Sequence, residues 1–214
     1  MRYFIPLLLS LTALTGCQTA YYSAMEKVGY HKRDIMIDRV EEAKTSQQKA
    51  QQEFKSALES LSALTHFDGG DLETMYNKVN DEYQDSEQAV KEVHQRIDAI
   101  EDVSEALFSE WQDELELYTN ANLRRSSEQT LRQTQSAYHS MLTAMQHAEQ
   151  KMTPVLNTLR DNTLFLKHNL NATAIDSLQG EFAGIEQDVQ HAIEQMSLAI
   201  AESERFLSHM HSTK

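Results

Sequence analysis

The sequence predicts an all-α protein: an elongated antiparallel bundle of about four long amphipathic helices with coiled-coil-like packing, behind an N-terminal leader. Three observations point there. Helix breakers are scarce, for beyond residue 17 glycine occurs only at Gly29, Gly69, Gly70, Gly180 and Gly184, and proline only at Pro154. Apolar residues recur at spacings of three and four, without the alternation of a strand. The long periodic stretches are separated by short breaks rich in Gly, Asn and Asp, as antiparallel neighbours require.

The leader comes first. Met1-Arg2 is a minimal positive start, and Tyr3 to Leu14 is a short apolar run, with Phe4, Ile5, Leu7, Leu8, Leu9 and Leu11 in it. About a dozen apolar residues make a signal-peptide core and are too few to span the roughly 30 Å hydrocarbon layer of a membrane. Leu14-Thr15-Gly16-Cys17 follows and matches the bacterial lipobox, in which an aliphatic and two small residues precede the cysteine that takes a diacylglyceryl group. Residues 1–16 are therefore expected to be removed. Cys17 is expected to carry the lipid, and 17–21 to be a short tether. Cys17 is the only cysteine, so no intrachain disulfide competes for its thiol. Gln18 is not the Asp that retains such proteins at the inner membrane. The expected location is the inner leaflet of the outer membrane, with the body in the periplasm.

A single bundle domain is expected over 22–214. Its first helix should run from about Tyr22 to Thr65, with the seam Ile37, Val40, Lys44, Gln47, Gln51, Phe54, Leu58 and Leu61, flanked by Ala43, Ala50, Ala57 and Leu64. His66-Phe67-Asp68-Gly69-Gly70-Asp71 breaks it, the glycines suiting a positive-φ end and Asp71 a helix N-cap. The second helix, about 72–118, has the clearest seam: Leu72, Tyr76, Val79, Tyr83, Ser86, Val90, Val93, Ile97, Ile100, Ser104, Leu107, Trp111, Glu114 and Tyr118. A turn is expected within 119–126, with Ser126-Ser127-Glu128-Gln129 as a capping box. The third helix, about 127–168, repeats Leu131, Tyr138, Met145, Met152, Leu159 and Leu166 every seventh residue, and Pro154 should kink it. Asn169-Leu170-Asn171-Ala172-Thr173 is the last break, with Thr173 as cap. The fourth helix, about 173–209, has Ile175, Leu178, Phe182, Ile185, Val189, Ala192, Met196, Ala199, Ser203, Phe206 and Met210 as its seam.

Charge narrows the function. Only Arg2 among the 19 basic residues lies in the leader, so 18 basic side chains face 33 acidic ones beyond it. A surface this acidic argues against nucleic acid and against broad contact with anionic lipid.

Lys32-Arg33-Asp34-Ile35, Phe67-Asp68-Gly69-Gly70, Leu107-Phe108-Ser109-Glu110-Trp111, Met152-Thr153-Pro154-Val155-Leu156 and Phe165-Leu166-Lys167-His168-Asn169-Leu170-Asn171-Ala172 carry a resemblance. Together they resemble a proteobacterial lipoprotein family catalogued as a domain of unknown function, over nearly all of the chain beyond the leader. The resemblance implies a Gram-negative setting and an all-helical fold, and it brings no activity.

Motifs for chemistry are weak. Nine histidines invite a metal, but a di-metal bundle needs two Glu-x-x-His pairs, and Asp188-x-x-His191 is the nearest approach. His139 and His147 share a face but lie two turns apart, too far for one ion. No metal site, cofactor or catalytic residue is expected, and the chain is read as no enzyme. Met141, Met145, Met152 and Met196 fall at core spacing. Trp111 and Tyr118 suit a buried seam better than an interfacial belt, and Lys214 is not expected to be a wall linkage. An up-down-up-down course sets the turns at 66–71 and 169–173 side by side, away from Cys17. His66, Asp68, Asp71, Lys167, His168, Asn169 and Asn171 then form a candidate contact surface, although capping alone explains such residues in turns. The leading expectation is a non-enzymatic spacer or adaptor that meets a periplasmic protein or the cell wall. Self-association through Lys44, Gln47 and Gln51 is a further option. The alternative is a bundle that binds a metal or a small apolar ligand.

Overall fold

The computed structural model describes residues 21–212 except 23, 28, 68 and 70. The expected leader and lipid site Cys17, together with Asp68 and Lys214, lie outside the described residues. Four long helices follow one another: α1 (Lys32–Thr65), α2 (Leu72–Leu115), α3 (Ala121–His168) and α4 (Ala172–Ser212). The described residues form an antiparallel helical bundle, as the apolar periodicity predicts. Each helix packs mainly on two neighbours, in the ring α1–α2–α3–α4–α1.

Cross-helix bonds fix the register. Lys32 Nζ lies 2.8 Å from Glu110 Oε1 and Arg96 Nη1 2.7 Å from Glu42 Oε2, so α2 descends as α1 rises. Ser104 Oγ donates to Tyr138 Oη over 2.7 Å, and Trp111 Nε1 to Ser127 Oγ over 2.8 Å, so α3 opposes α2. His147 Nδ1 lies 3.0 Å from Gln195 Oε1, and Gln51 Nε2 donates to Ser197 Oγ over 2.8 Å, which sets α4 against both α3 and α1. Exposed ion pairs of this kind contribute about 0–1 kcal/mol each, so they mark the register more than they hold it. The apolar core does the holding.

That core is a column of seventh-residue repeats. Met145, Met152, Leu159 and Leu166 of α3 are buried, as are Val189, Ala192, Met196, Ala199 and Phe206 of α4. On α1 the buried face is centred on the expected flank: Ala43, Ala50, Ala57 and Leu64 are fully enclosed, and small residues let the neighbouring helices approach closely. Lys44 moves to the rim, where its amine lies 3.4 Å from Glu41. Pro154 sits on the exposed side of α3, which runs through it. The missing amide there orphans a carbonyl that faces water, so the helix continues at modest cost.

Helix α4 runs on to Ser212, three residues past its expected end, and four other boundaries differ from the sequence reading, each for a local reason. The helix expected from Tyr22 is in two pieces. Residues 24–27 are helical, then Gly29 takes φ +85°. Gly29 N–H donates to Glu26 O over 2.9 Å and Tyr30 N–H to Met25 O over 3.0 Å, the paired bonds of a glycine-terminated helix end. The chain therefore doubles back, and α1 starts at Lys32. Helix α2 ends at Leu115, so Glu114 and Tyr118 are exposed and Leu115 is buried instead. Helix α3 begins at Ala121, because Asn120 Oδ1 accepts from Asn122 N over 2.9 Å and Leu123 N over 3.2 Å. Ser126–Gln129 is interior to that helix and caps nothing. Helix α4 is capped by Asn171, whose Oδ1 accepts from Ala174 N over 3.1 Å, rather than by Thr173.

Candidate functional site at the two ends of the bundle

The register divides the molecule into two ends. One holds the start of α1, the α2–α3 turn at 116–120 and the end of α4. The other holds the turns 66–71 and 169–171. Gln179 of α4 donates a hydrogen bond to the Thr65 carbonyl, so α4 starts at the end of the bundle where α1 stops.

Most of the residues singled out at that far end are occupied in ending helices. His66 Nδ1 lies 2.8 Å from Ser62 O and 3.1 Å from Thr65 Oγ1, against the last turn of its own helix. Asp71 accepts from Glu73 N at 3.0 Å, Thr74 N at 3.3 Å and Thr74 Oγ1 at 2.6 Å. The Thr74 hydroxyl first, then the backbone amides, hold its carboxyl below the usual aspartate range. Asn169 Nδ2 donates to Phe165 O over 2.9 Å, and Asn171 caps α4. Lys167 and His168 are exposed on the last turn of α3.

Sequence reasoning missed the apolar members of this end. Leu164, Phe165 and Leu170 are exposed beside Lys167 and His168. Leu164 and Phe165 stand on either side of the Leu159–Leu166 seam, off the core stripe. The signal was there: bulky apolar residues at positions the helical period assigns to solvent.

The opposite end has a polar notch. Lys32 bridges Glu26 and Glu110 where the doubled-back segment meets α1 and α2. Burial disfavours the charge on Lys32, but the Glu110 and Glu26 carboxylates more than offset it, so its pKa stands above that of a free lysine. An open cavity of about 440 Å³ lies here, lined by Lys32, Arg33, Glu110 and Trp111 among others. The turn beyond it exposes Leu117, at 77 %, and Tyr118.

Among the described residues no three His, Cys, Asp or Glu side chains gather as metal ligands. His191 faces Glu194 at 3.9 Å and not Asp188, and His139 and His147 are both exposed. Among the described residues no helix is long and apolar enough to cross a membrane. Of Lys44, Gln47 and Gln51, read as a seam for a second copy, Gln47 is fully buried and Gln51 bonds to α4, while Lys44 stands at the rim beside Glu41.

A family model described as "Protein of unknown function (DUF2959)" matches residues 21–210. No curated protein and no solved structure matches the chain.

Proposed function

The chain belongs to the DUF2959 family, which brings no activity with it, and we propose from its own residues that it is an exported, lipid-anchored, non-enzymatic adaptor of the cell envelope. In this reading Cys17 carries the lipid in the inner leaflet of the outer membrane. The bundle is a stiff rod, and its far end meets a periplasmic protein.

The observation that carries the reading is the composition of that far end. Leu164 and Phe165 on the last turns of α3, and Leu170 in the turn that follows, remain uncovered beside the cationic Lys167 and the polar His168. Leu123 and Leu198 are also exposed, on the sides of α3 and α4, but several bulky apolar residues close together in the chain and rimmed by polar groups are the ordinary signature of a contact surface. Lys167 favours an acidic neighbour there. With His66, Asp71, Asn169 and Asn171 engaged in capping, the contact surface shifts from the polar residues to the apolar ones.

In-cell photocrosslinking tests this, with probes at Phe165 and Asn171 and a control probe at Leu198 on the side of α4. Capture of one protein from both tip positions, and not from Leu198, supports the adaptor. Capture from Leu198 alone sinks the tip assignment.

The second reading, a ligand held within the bundle, draws on Gln47, whose amide oxygen and nitrogen are both buried and unpartnered. Retained non-protein mass in a native mass spectrum of the full chain would favour it.

A further inference from the structure

The doubled-back segment sets a length constraint on any lipid anchor. Tyr22 is buried in the core cluster, four residues before Glu26, which Lys32 joins to Glu110 of α2. The turn at 116–120 projects past that bridge, since α2 runs on from Glu110 to Leu115, a rise of about 7 Å at 1.5 Å per residue, and the doubled-back segment sets Tyr22 further from that end still. Cys17 is only four residues before Tyr21. A fully extended chain of that length reaches about 14 Å. A tether this short, attached back from the end of α2, keeps the 116–120 turn of an upright bundle close to the bilayer surface.

The turn is built for that position. Leu117 is 77 % exposed, Leu123 is 57 % exposed, and Tyr118 lies between them in sequence. Within 116–120 the one charged side chain is Glu116, and Arg124 Nη2 neutralises it from 2.7 Å. On a chain of formal net charge −14 this is a local patch that a zwitterionic lipid surface accepts. Leucine enters the acyl boundary readily, and tyrosine favours the headgroup level.

We propose that the 116–120 turn is a second membrane contact, with Leu117 and Leu123 entering the interface of the bilayer that holds the Cys17 lipid. This rests on the lipid-anchor reading and adds an orientation to it: the bundle meets the membrane with its α2–α3 end, and the short tether draws it down.

The test uses the full lipidated chain on phosphatidylcholine vesicles. Leu117→Cys, Leu170→Cys and Leu198→Cys each receive an environment-sensitive dye, the Cys17 thiol being already alkylated. Flotation with the vesicles reports the anchor, and quenching by brominated lipid reports depth. The expected result is several-fold stronger quenching at Leu117 than at Leu170 or Leu198. A floating protein with no quenching at Leu117 overturns the proposal. Equal quenching at Leu117 and Leu198 also overturns it, because the bundle then lies on its side. A chain that does not float removes the anchor reading, and this orientation with it.

Discussion

Gln47 and Gln51 stand one helical turn apart on α1 and have opposite surroundings. Gln51 donates to Ile193 O over 3.0 Å and to Ser197 Oγ over 2.8 Å, which ties α1 to α4. Gln47 is 0 % exposed, and neither atom of its amide has a partner. The antiparallel register sets Val93, Ala148 and Met196 at about its level, all buried and apolar.

A buried amide without partners is a net cost. Gln47→Met conserves volume and removes that cost, so it should stabilise the bundle by about 1 kcal/mol, read as a higher urea midpoint at unchanged helicity. A lower midpoint would mean that a buried water or ligand satisfies the amide in solution. The same substitution therefore also probes the ligand reading.

Asn120 starts α3. Asn120→Ala leaves the amides of Asn122 and Leu123 without their acceptor, and should cost about 1 kcal/mol by chemical denaturation. Ser126→Ala tests the expected capping box. Because Ser126 is exposed and lies inside the helix, it should cost less than Asn120→Ala does.

His94 bridges α2 and α3. Its Nδ1 lies 2.7 Å from Glu149 Oε1 and its Nε2 3.5 Å from Asp98 Oδ2. The hydrogen bond to Glu149, then the charge of Asp98, raise its pKa above the usual histidine value. A raised folded-state value means the contribution is complete below the unfolded pKa of about 6.5 and fades as pH rises through the folded one. Wild type should exceed His94→Gln in stability at about pH 5.5 and approach it at about pH 8.5. A histidine ring-proton titration should show a midpoint above the free-histidine value of about 6.5. A gap between the two proteins that widens with pH would contradict the bridge.

At the far end, Phe165→Asp should abolish partner capture while leaving the melting curve nearly unchanged, since Phe165 is exposed. Charge reversal at Asp71 is a poorer probe, because it also uncaps α2. Retained capture by Phe165→Asp would move the contact off the apolar patch.

Much of this fold was legible because burial is periodic. Leu131, Met145, Met152, Leu159 and Leu166 could be assigned to the core from spacing alone, and Asp71 could be placed as a cap from the glycines before it. What escaped depends on relations between distant segments. A single glycine in a polar stretch does not reveal a reversal, so Gly29 read as helix interior. Ser126–Gln129 has the composition of a capping box, yet Asn120 caps first and leaves those polar groups on an exposed helix face. At the candidate site, the polar turn residues were found and their capping role anticipated. Leu164, Phe165 and Leu117 were not found, because exposure of an apolar residue depends on where the neighbouring helices stop.

The ring of helix contacts bears on how the chain reaches this state. Three of the four main pairings, α1 with α2, α2 with α3 and α3 with α4, join helices adjacent in sequence. Each can form as a local hairpin with little loop-closure entropy, which is the low-contact-order regime of rapid folding. Only the α1–α4 seam, held by Gln51 and Ser197, joins distant parts of the chain. It cannot close until α4 has been made. A nascent chain lacking its last forty or so residues would therefore expose the alanine-lined face of α1 along its length, and the kinetic weak point of the molecule lies on that seam.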